Sequence, residues 1–248
     1  MKNFIKYILQ KTFGLQAYLL LFARFVILKL PYAKYEKDFL RFINLIDDGG
    51  HVLDIGANIG AMTYYLSKRL PESGIHSFEP VTENLEVLRK IKNKFDLLNV
   101  KIYPFALGNK NEYVKMIMPQ CNKVYFHGLS HIKQDDKTEK GKTYDVEVKK
   151  LDDVKDLQTV KINAIKIDVE EYEYNVLCGA KDLLIKNRPL IYCELWEGEN
   201  REKSITFISS LKYKIFIVQN KRLVEFERRN GFNNFFFIPI ERCNNLKL

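Results

Sequence analysis

Cysteine is scarce in this chain of 248 residues. The four cysteines form no C-x-x-C pair, and no histidine stands at metal-ligand spacing from Cys121, Cys178, Cys193 or Cys243. This pattern argues against a zinc site and predicts free, buried thiols in a reducing cytoplasm.

Glycine and proline are also sparse, and neither an internal repeat nor a low-complexity linker interrupts the chain. Hydrophobic residues make up 46% of the composition, so a well-buried core is expected and wholesale disorder is excluded. The length suffices for one sizeable α/β domain with a short extension.

The N-terminus carries no signal-peptide pattern. Its apolar stretch, residues 17–30, is interrupted by Arg24 and Lys29, lacks a small-residue cleavage site and is shorter than a bilayer-spanning helix requires. Helical spacing of apolar residues predicts one or two amphipathic helices, which either pack on the main domain or a partner subunit, or lie in a membrane interface. The apolar stripe comprises Leu15, Leu19, Phe22 and Val26.

Acidic residues are nearly missing from the first 45 positions. Eight basic residues stand there against two acidic ones, a difference of +6 within a net charge of +9. The residues are Lys2, Lys6, Lys11, Arg24, Lys29, Lys34, Lys37 and Arg41 against Glu36 and Asp38. This asymmetry indicates an anionic partner, either a membrane surface or nucleic acid. We therefore expect a helical extension over 1–45, a main domain over 46–240 and a tail over 241–248.

Short strand-like runs alternate with helical runs from Gly49 onward. This alternation predicts βαβ units and a parallel sheet. The predicted strands are 51–55, 74–78, 100–105, 164–169, 189–195, 213–218 and 234–240, with helices over 59–70, 81–95, 172–184 and 199–211. The middle differs, because 112–118 and 143–149 resemble strands of a hairpin or sheet edge around the polar segment 119–142, which has no clear period.

The run V-L-D-I-G-A-N-I-G over residues 52–60 carries the main functional signal. A buried strand ends near Asp54, and Gly56 and Gly60 flank a turn into a helix, where glycine lets the backbone approach a ligand. A dinucleotide fingerprint would need glycine in place of Asn58. S-adenosylmethionine has no phosphate, and its ammonium and sulfonium charges suit Asp54. Glu79 ends the next strand, at the position expected for a carboxylate that binds two ribose hydroxyls.

These residues resemble the FkbM-like methyltransferases, a family of class I S-adenosylmethionine-dependent enzymes. The resemblance covers roughly residues 35–240 and implies a Rossmann-like sheet, mostly parallel with an antiparallel closing strand. It also implies O-methylation, often of a sugar hydroxyl in a glycan, glycolipid or glycosylated natural product. The matching stretches are Asp54–Gly60, Phe78–Pro80, Ala106–Gly108, Lys166–Glu170, the strand ending at Glu194, and Asn233–Pro239.

The same resemblance implies that Ala106 and Leu107 line the adenine pocket. One departure is Glu171, which stands where the family commonly has glycine after the D-V-E run. Its bulk and charge either narrow the acceptor pocket or extend the next helix, whose first turn favours a negative charge.

Three carboxylates are candidates for the chemistry at the acceptor. Methyl transfer from a sulfonium is an in-line displacement that needs alignment and the removal of one proton. Asp168, Glu170 and Glu194 follow neighbouring predicted strands and could supply a base, or oxygen ligands for a divalent cation such as Mg²⁺. As alternatives, Asp168 could contact the cofactor or cap a helix, and Glu194 could hold Arg188.

Two histidines in the polar segment are further candidates. His127 and His131 could act as a base because histidine titrates near neutrality, and the segment around them would then close over the acceptor as a lid. Solvated loop histidines are the alternative interpretation.

Two other functions remain as alternatives. The spacing of Lys166 and Asp168 resembles the catalytic Lys and Asp of RNA ribose methyltransferases, but the basic residues concentrate at the N-terminus and form no stripe, which argues against nucleic acid. A non-catalytic Rossmann-like scaffold would have a degraded cofactor loop, and this loop is intact. We expect a cytoplasmic enzyme, with peripheral binding to the inner membrane face through residues 1–30 as an alternative to packing.

Overall fold

The computed structural model describes residues 2–33, 36–133, 139–227 and 231–245. The chain begins with helix α1 (Lys2–Lys29), a 3₁₀ turn (Leu30–Tyr32) and helix α2 (Lys37–Asn44). Strands and helices then alternate as β1 (His51–Ile55), α3 (Ala61–Arg69), β2 (Gly74–Phe78), α4 (Thr82–Lys94) and β3 (Val100–Tyr103).

The rest of the chain first forms short strands and then returns to the alternation. The short strands are β4 (Ala106–Leu107), β5 (Glu112–Cys121), β6 (Val124–Tyr125), β7 (His131–Ile132) and β8 (Gly141–Lys149). The later elements are β9 (Ile162–Ile167), α5 (Glu173–Cys178), α6 (Lys181–Asn187), β10 (Leu190–Glu194), α7 (Glu199–Ser210), β11 (Tyr213–Gln219), β12 (Arg222–Glu225) and β13 (Asn234–Pro239).

Eight strands form the main sheet in the order β12-β11-β13-β10-β9-β1-β2-β3. The five strands from β10 to β3 are parallel, and β13 runs antiparallel to both β10 and β11. The prediction of a Rossmann-like α/β fold with an antiparallel closing strand is confirmed. The carboxyl ends of β1, β2 and β9 meet at one edge, which is where ligands bind in open sheets of this kind.

Helices cover both faces of the sheet. Because side chains alternate across a strand, Val52 and Tyr192 pack in the core beneath α1–α4, whereas Leu53 and Ile191 pack in the core beneath α5–α7. Both faces are thereby closed to solvent, and the strand ends remain for binding and chemistry.

The middle of the chain forms a small second sheet. β5 and β8 pair antiparallel from Glu112 opposite Val148 to Pro119 opposite Gly141, which confirms the predicted hairpin-like pair. β4 pairs with β8, and β6 and β7 pair with β5, so the polar segment 119–142 contains more structure than its lack of period suggested. Residues 134–138 of that segment lie outside the described residues.

The N-terminal extension is helical, as predicted, but its apolar part is longer. α1 breaks at Gly14, whose φ of 77° and ψ of 161° are not helical, so two helical segments are joined. By length and composition alone, Asn3–Tyr32 would suffice to cross a membrane, and the prediction of too short a stretch was wrong. The prediction failed because apolar positions continue upstream of residue 17, from Phe4 onward.

One face of α1 packs on the domain. Leu19, Ala23 and Leu30 are buried in the same core as α3 and α4. The Gln10 side chain pairs with the backbone of Tyr125, donating to its carbonyl at 3.0 Å and accepting from its N–H at 2.9 Å. Since burying one leucine side chain contributes roughly 1.5–3 kcal/mol, this face anchors the helix firmly.

Candidate functional site

The turn between β1 and α3 packs its backbone closely against the chain that follows strand β9. Gly56 has a φ of 77°, and a Cβ there would lie 1.9 Å from the Asp168 carbonyl oxygen, so only glycine fits. Gly60, with a φ of 81°, precedes α3, and a Cβ at this position would lie 2.6 Å from the Leu88 side chain. Asn58 also has a positive φ, of 51°, and its Oδ1 accepts from the Ile59 N–H at 2.8 Å. Packing against β9 and α4 therefore dictates both glycines.

Asp54 lies behind this turn and is fully buried. Its Oδ2 accepts a hydrogen bond from the Thr63 hydroxyl at 2.6 Å, and its Oδ1 lies 3.3 Å from Lys166 Nζ. Lys166 Nζ also donates to the Gly56 carbonyl at 2.8 Å. Burial opposes the ammonium charge, yet Asp54 and Asp168 together raise the pKa of Lys166. Asp54 thus braces Lys166 and the turn, and it is absent from the described lining of the cleft in front.

Glu79 ends β2 and is buried. Its Oε2 accepts from the Asn58 N–H at 2.8 Å, and its Oε1 accepts from the Val81 N–H at 2.8 Å and from Asn84 Nδ2 at 3.4 Å. Burial raises its pKa to about 7, although these bonds favour the ionised form. A carboxylate has about four acceptor sites, and these three bonds leave one of them, on Oε2, free for a ligand hydroxyl.

A cleft opens in front of these strand ends. Phe78 and Phe105, whose ring centroids are 5.7 Å apart, add aromatic surface to it. Its lining includes most of the residues predicted to bind the cofactor: Gly56, Asn58, Glu79, Ala106 and Leu107. Gly60 is not among the described lining residues; it is the residue immediately before α3.

Carboxylates gather on the β9 side of this cleft. Asp168 and Glu170 line it, and the Asp168 carboxylate lies 3.6 Å from Lys166 Nζ. Burial is the main cause that raises the pKa of Glu170 to about 8 and that of Glu194 to about 7, and the charge of Asp168 adds to both. The buried Glu173 also has its pKa raised to about 7 by burial. Glu173 and Glu194 stand outside the described lining, so Asp168 and Glu170 are the carboxyl groups of this set that reach the cleft.

Two sequence alternatives for these carboxylates do not match the structure. Arg188 pairs with Glu241 at 2.7 Å and not with Glu194. Glu171 precedes the first residue of α5 and is exposed, so it neither extends that helix nor joins the described cleft lining. Glu170 and Glu171 have φ values of 53° and 67°, a backbone that favours glycine. Among the described residues, no three His, Cys, Asp or Glu side chains are grouped so that they could hold a metal ion.

A second cavity lies between α1 and the β1–α3 turn. Phe22, Val26 and Leu30 form its apolar wall, while Glu36 and Lys166 are polar members of its lining. It shares Gly56, Asn58, His127 and Asp168 with the cleft. The two spaces are therefore neighbours, and α1 contributes to the site as well as to the core.

The structure separates the two candidate histidines. His127 lines both cavities, packs edge-on against Phe22 with 5.5 Å between ring centroids, and has its pKa lowered to about 4 by burial. His131 instead places Nε2 2.9 Å from Glu139 and Nδ1 2.9 Å from the Leu129 carbonyl, outside the described lining. His127 is thus the histidine at the site, in a form that stays neutral near pH 7.

Sequence reasoning missed Glu36, Glu173 and the role of Phe22. Glu36 was counted only in the net charge of the N-terminal segment, and burial and the nearby Asp168 raise its pKa. Glu173 was placed in a helix without a role, yet its carboxylate accepts from the Val169 N–H at 3.2 Å and thereby holds the chain after β9. The helical stripe that contains Phe22 was the one available signal, and it indicated packing without indicating what the helix packs on.

A family model described as the methyltransferase FkbM domain matches residues 54–233. Methyltransferase 1 from Beauveria bassiana (strain ARSEF 2860) is 27% identical over 180 residues, which cover 61% of this chain and 70% of that protein. Methyltransferase sdnD from Sordaria araneosa is 25% identical over 178 residues, which cover 59% of this chain and 66% of that protein.

A solved structure shares the fold. The crystal structure of methyltransferase FkbM from Methylobacillus flagellatus KT superposes with a TM-score of 0.54 at 16% identity and covers 78% of this chain. This chain spans 45% of that protein, less than half of its length. The family match includes the β1–α3 turn, Glu79 and the β9 carboxylates. The chain belongs to the FkbM family of class I, S-adenosylmethionine-dependent methyltransferases.

Proposed function

We propose that this enzyme transfers a methyl group from S-adenosylmethionine to a sugar hydroxyl of a glycan, glycolipid or glycosylated metabolite in the cytoplasm. The observation that carries the proposal is the placement of Asp168 and Glu170 in the same cleft as Glu79. One cleft thus combines a diol-binding carboxylate with carboxylates able to accept the proton that a hydroxyl must lose.

The two cavities together would hold the cofactor. We assign the ribose hydroxyls to Glu79 and the adenine to Phe105, Ala106 and Leu107, which line the cleft. The second cavity, beyond Gly56, would hold the methionine tail. Glu36 would receive its ammonium there and supply the negative charge expected from Asp54, which leaves Asp168 for the acceptor side.

The reaction is a displacement at the methyl carbon. The acceptor oxygen forms a bond to that carbon, the carbon–sulfur bond breaks, and the sulfonium becomes a neutral thioether. The hydroxyl proton passes to a carboxylate beside the methyl group, either Asp168 or Glu170. A base is most effective when its pKa is near the working pH, and burial gives Glu170 a pKa of about 8.

The charge of the cleft favours a neutral polyol over RNA. The pair Lys166–Asp168 is the feature that suits an RNA ribose methyltransferase. However, Lys166 is only 2% exposed, and its ammonium is already bound by Asp54 and the Gly56 carbonyl. The described residues that line the cleft include no lysine or arginine to neutralise a phosphate, which disfavours binding of a polyanionic backbone.

The test is methyl transfer from radiolabelled S-adenosylmethionine to free saccharides, nucleotide-linked sugars and bulk RNA, each with the full chain. We expect label in the saccharide arms as a methyl ether, which resists mild alkali, whereas a methyl ester would be hydrolysed. Label in RNA alone would overturn the proposal in favour of the ribose methyltransferase.

Asp168→Asn tests the chemical step. We expect a fall in turnover of about 10²- to 10⁴-fold, the range for a general base, with the melting temperature nearly unchanged. Asp145→Asn is the matched control, because Asp145 pairs with Lys115 on the surface of the second sheet, at 2.8 Å. Near-normal turnover in Asp168→Asn would rule out this role for Asp168.

A further inference from the structure

The exposed apolar side chains of this protein concentrate on α1 and the turn after it. Large hydrophobic residues with high exposure number fourteen among the described residues, and eight of them lie between positions 4 and 32. They are Phe4, Ile5, Ile8, Phe13, Leu21, Phe25, Leu28 and Tyr32. Clustered exposed apolar side chains of this kind often mark an interaction site.

The second half of α1 has two apolar faces, one exposed and one buried. With 3.6 residues per turn, Leu21, Phe25 and Leu28 form one stripe, and they are 50%, 54% and 72% exposed. Leu19 and Ala23 lie on the opposite side and are fully buried in the core. The described part of the chain therefore leaves the stripe largely exposed, while the helix itself is anchored.

Positive charge accompanies the stripe. The same helical spacing places Arg24 on one flank of the stripe and Lys29 on the other, and Lys6 and Lys11 extend the charge toward the N-terminus. The first acidic residue of the chain is Glu36. Apolar side chains flanked by basic ones are the pattern of a helix that lies in the interface of an anionic membrane.

We propose that the exposed face of α1 docks on an anionic lipid leaflet, with the helix parallel to the membrane plane. A spanning orientation would have to withdraw Leu19 and Ala23 from the core and break the two hydrogen bonds between Gln10 and Tyr125. A second copy of the chain is a poor partner for this face, because the basic residues of the two copies would then face each other with no acidic residue between them. This docking does not depend on which acceptor the enzyme methylates.

The arrangement has a consequence for the site. Phe22, Val26 and Leu30 wall the second cavity from the side of the helix that faces the domain, so a docked α1 would separate that cavity from the membrane surface by about one helix diameter, roughly 10–12 Å. A hydroxyl-bearing head group of a membrane amphiphile that extends about this far from the leaflet would then reach the site.

The test is co-sedimentation of the full chain with vesicles of phosphatidylcholine alone and of phosphatidylcholine with phosphatidylglycerol, at low and high salt. We expect binding to the anionic vesicles that falls steeply with salt, because surface attraction is screened within a Debye length. The double variant Phe25→Asp/Leu28→Asp should bind at least about 100-fold more weakly, since two large apolar side chains then no longer leave water.

Leu98→Asp is the matched control, because Leu98 is 91% exposed and lies outside α1, after helix α4. It should bind like the unaltered chain. Full-length protein that stays in the supernatant with anionic vesicles would overturn the proposal. So would equal binding by the double variant, or a stable dimer by sedimentation velocity that the double variant dissociates.

Discussion

Glu79 combines two properties that make it decisive for cofactor binding. Its oxygens are held by the Asn58 and Val81 amides, so their direction is set before a ligand arrives, and its pKa of about 7 reflects burial. Glu79→Ala should weaken S-adenosylmethionine binding by about 1.5–3 kcal/mol, the range for a hydrogen bond to a charged group, or roughly ten- to a hundredfold in the dissociation constant. Isothermal titration measures the change.

Two further variants make that measurement specific. Glu79→Gln keeps one acceptor oxygen and should lose less affinity than Glu79→Ala. Glu72→Ala removes an exposed carboxylate that precedes β2, at the opposite edge of the sheet, and should bind normally. An unchanged dissociation constant in a folded Glu79→Ala protein would contradict the ribose role.

Gly56 and Gly49 offer a matched pair for the cofactor turn. Both have positive φ, 77° and 93°, so alanine costs about 1–2 kcal/mol at either position. At Gly49 an added Cβ meets open space, whereas at Gly56 it would lie 1.9 Å from the Asp168 carbonyl. Gly56→Ala should therefore lose about 1–3 kcal/mol more in denaturant unfolding and also displace Asp168. Equal losses in both variants would show that the close contact is unimportant.

At the scale of elements, helix α1 has a buried face and an exposed face, and a leucine on each allows their contributions to stability to be compared. Leu19 is fully buried and Leu21 is 50% exposed on the same helix. Leu19→Ala should lower the free energy of unfolding by about 2–5 kcal/mol, while Leu21→Ala should change it by about 0.5 kcal/mol or less. Urea titration of both variants checks this. Similar effects would mean that α1 is not anchored through the face described here.

The sheet could be predicted because its signals are local. Each of β1, β2, β9 and β10 is an apolar run bounded by turn residues, and the βαβ alternation then restricts the topology. β12 was missed because Arg222 and Glu225 give its four residues no apolar pattern. The helix predicted over 172–184 divides into α5 and α6 at Gly179, which a periodic stripe alone does not reveal.

The candidate site was predictable in part for the same reason. Glu79 and Asp168 follow strands, and strand ends converge wherever the sheet is parallel. The choice between His127 and His131 depends on which ring packs against Phe22, more than a hundred positions earlier in the chain. No local pattern contains such a contact, and the same holds for Glu36, which reaches the second cavity through the path of α1 and α2.

Across the whole molecule, buried carboxyl groups determine how the free energy of unfolding changes with pH near neutrality. Burial raises the pKa values of Glu79, Glu173 and Glu194 to about 7 and that of Glu170 to about 8. Burial also lowers the pKa of His127 to about 4, which affects stability only below the ordinary histidine pKa. Above about pH 6.5 the carboxyl groups therefore determine whether the free energy of unfolding rises or falls with pH.

The cofactor-free protein should lose stability as the pH rises from about 6.5 to 8.5. In this range the folded state still binds protons on these carboxyl groups, whereas the unfolded chain, with ordinary carboxyl pKa values, has released them. The folded state binds more protons, so the free energy of unfolding falls with rising pH until the folded groups ionise. Melting temperatures across the range measure the trend. Glu170→Gln should flatten its upper part, because Glu170 has the highest of these pKa values. Stability that is constant or rises over this range would contradict burial of these groups as neutral acids.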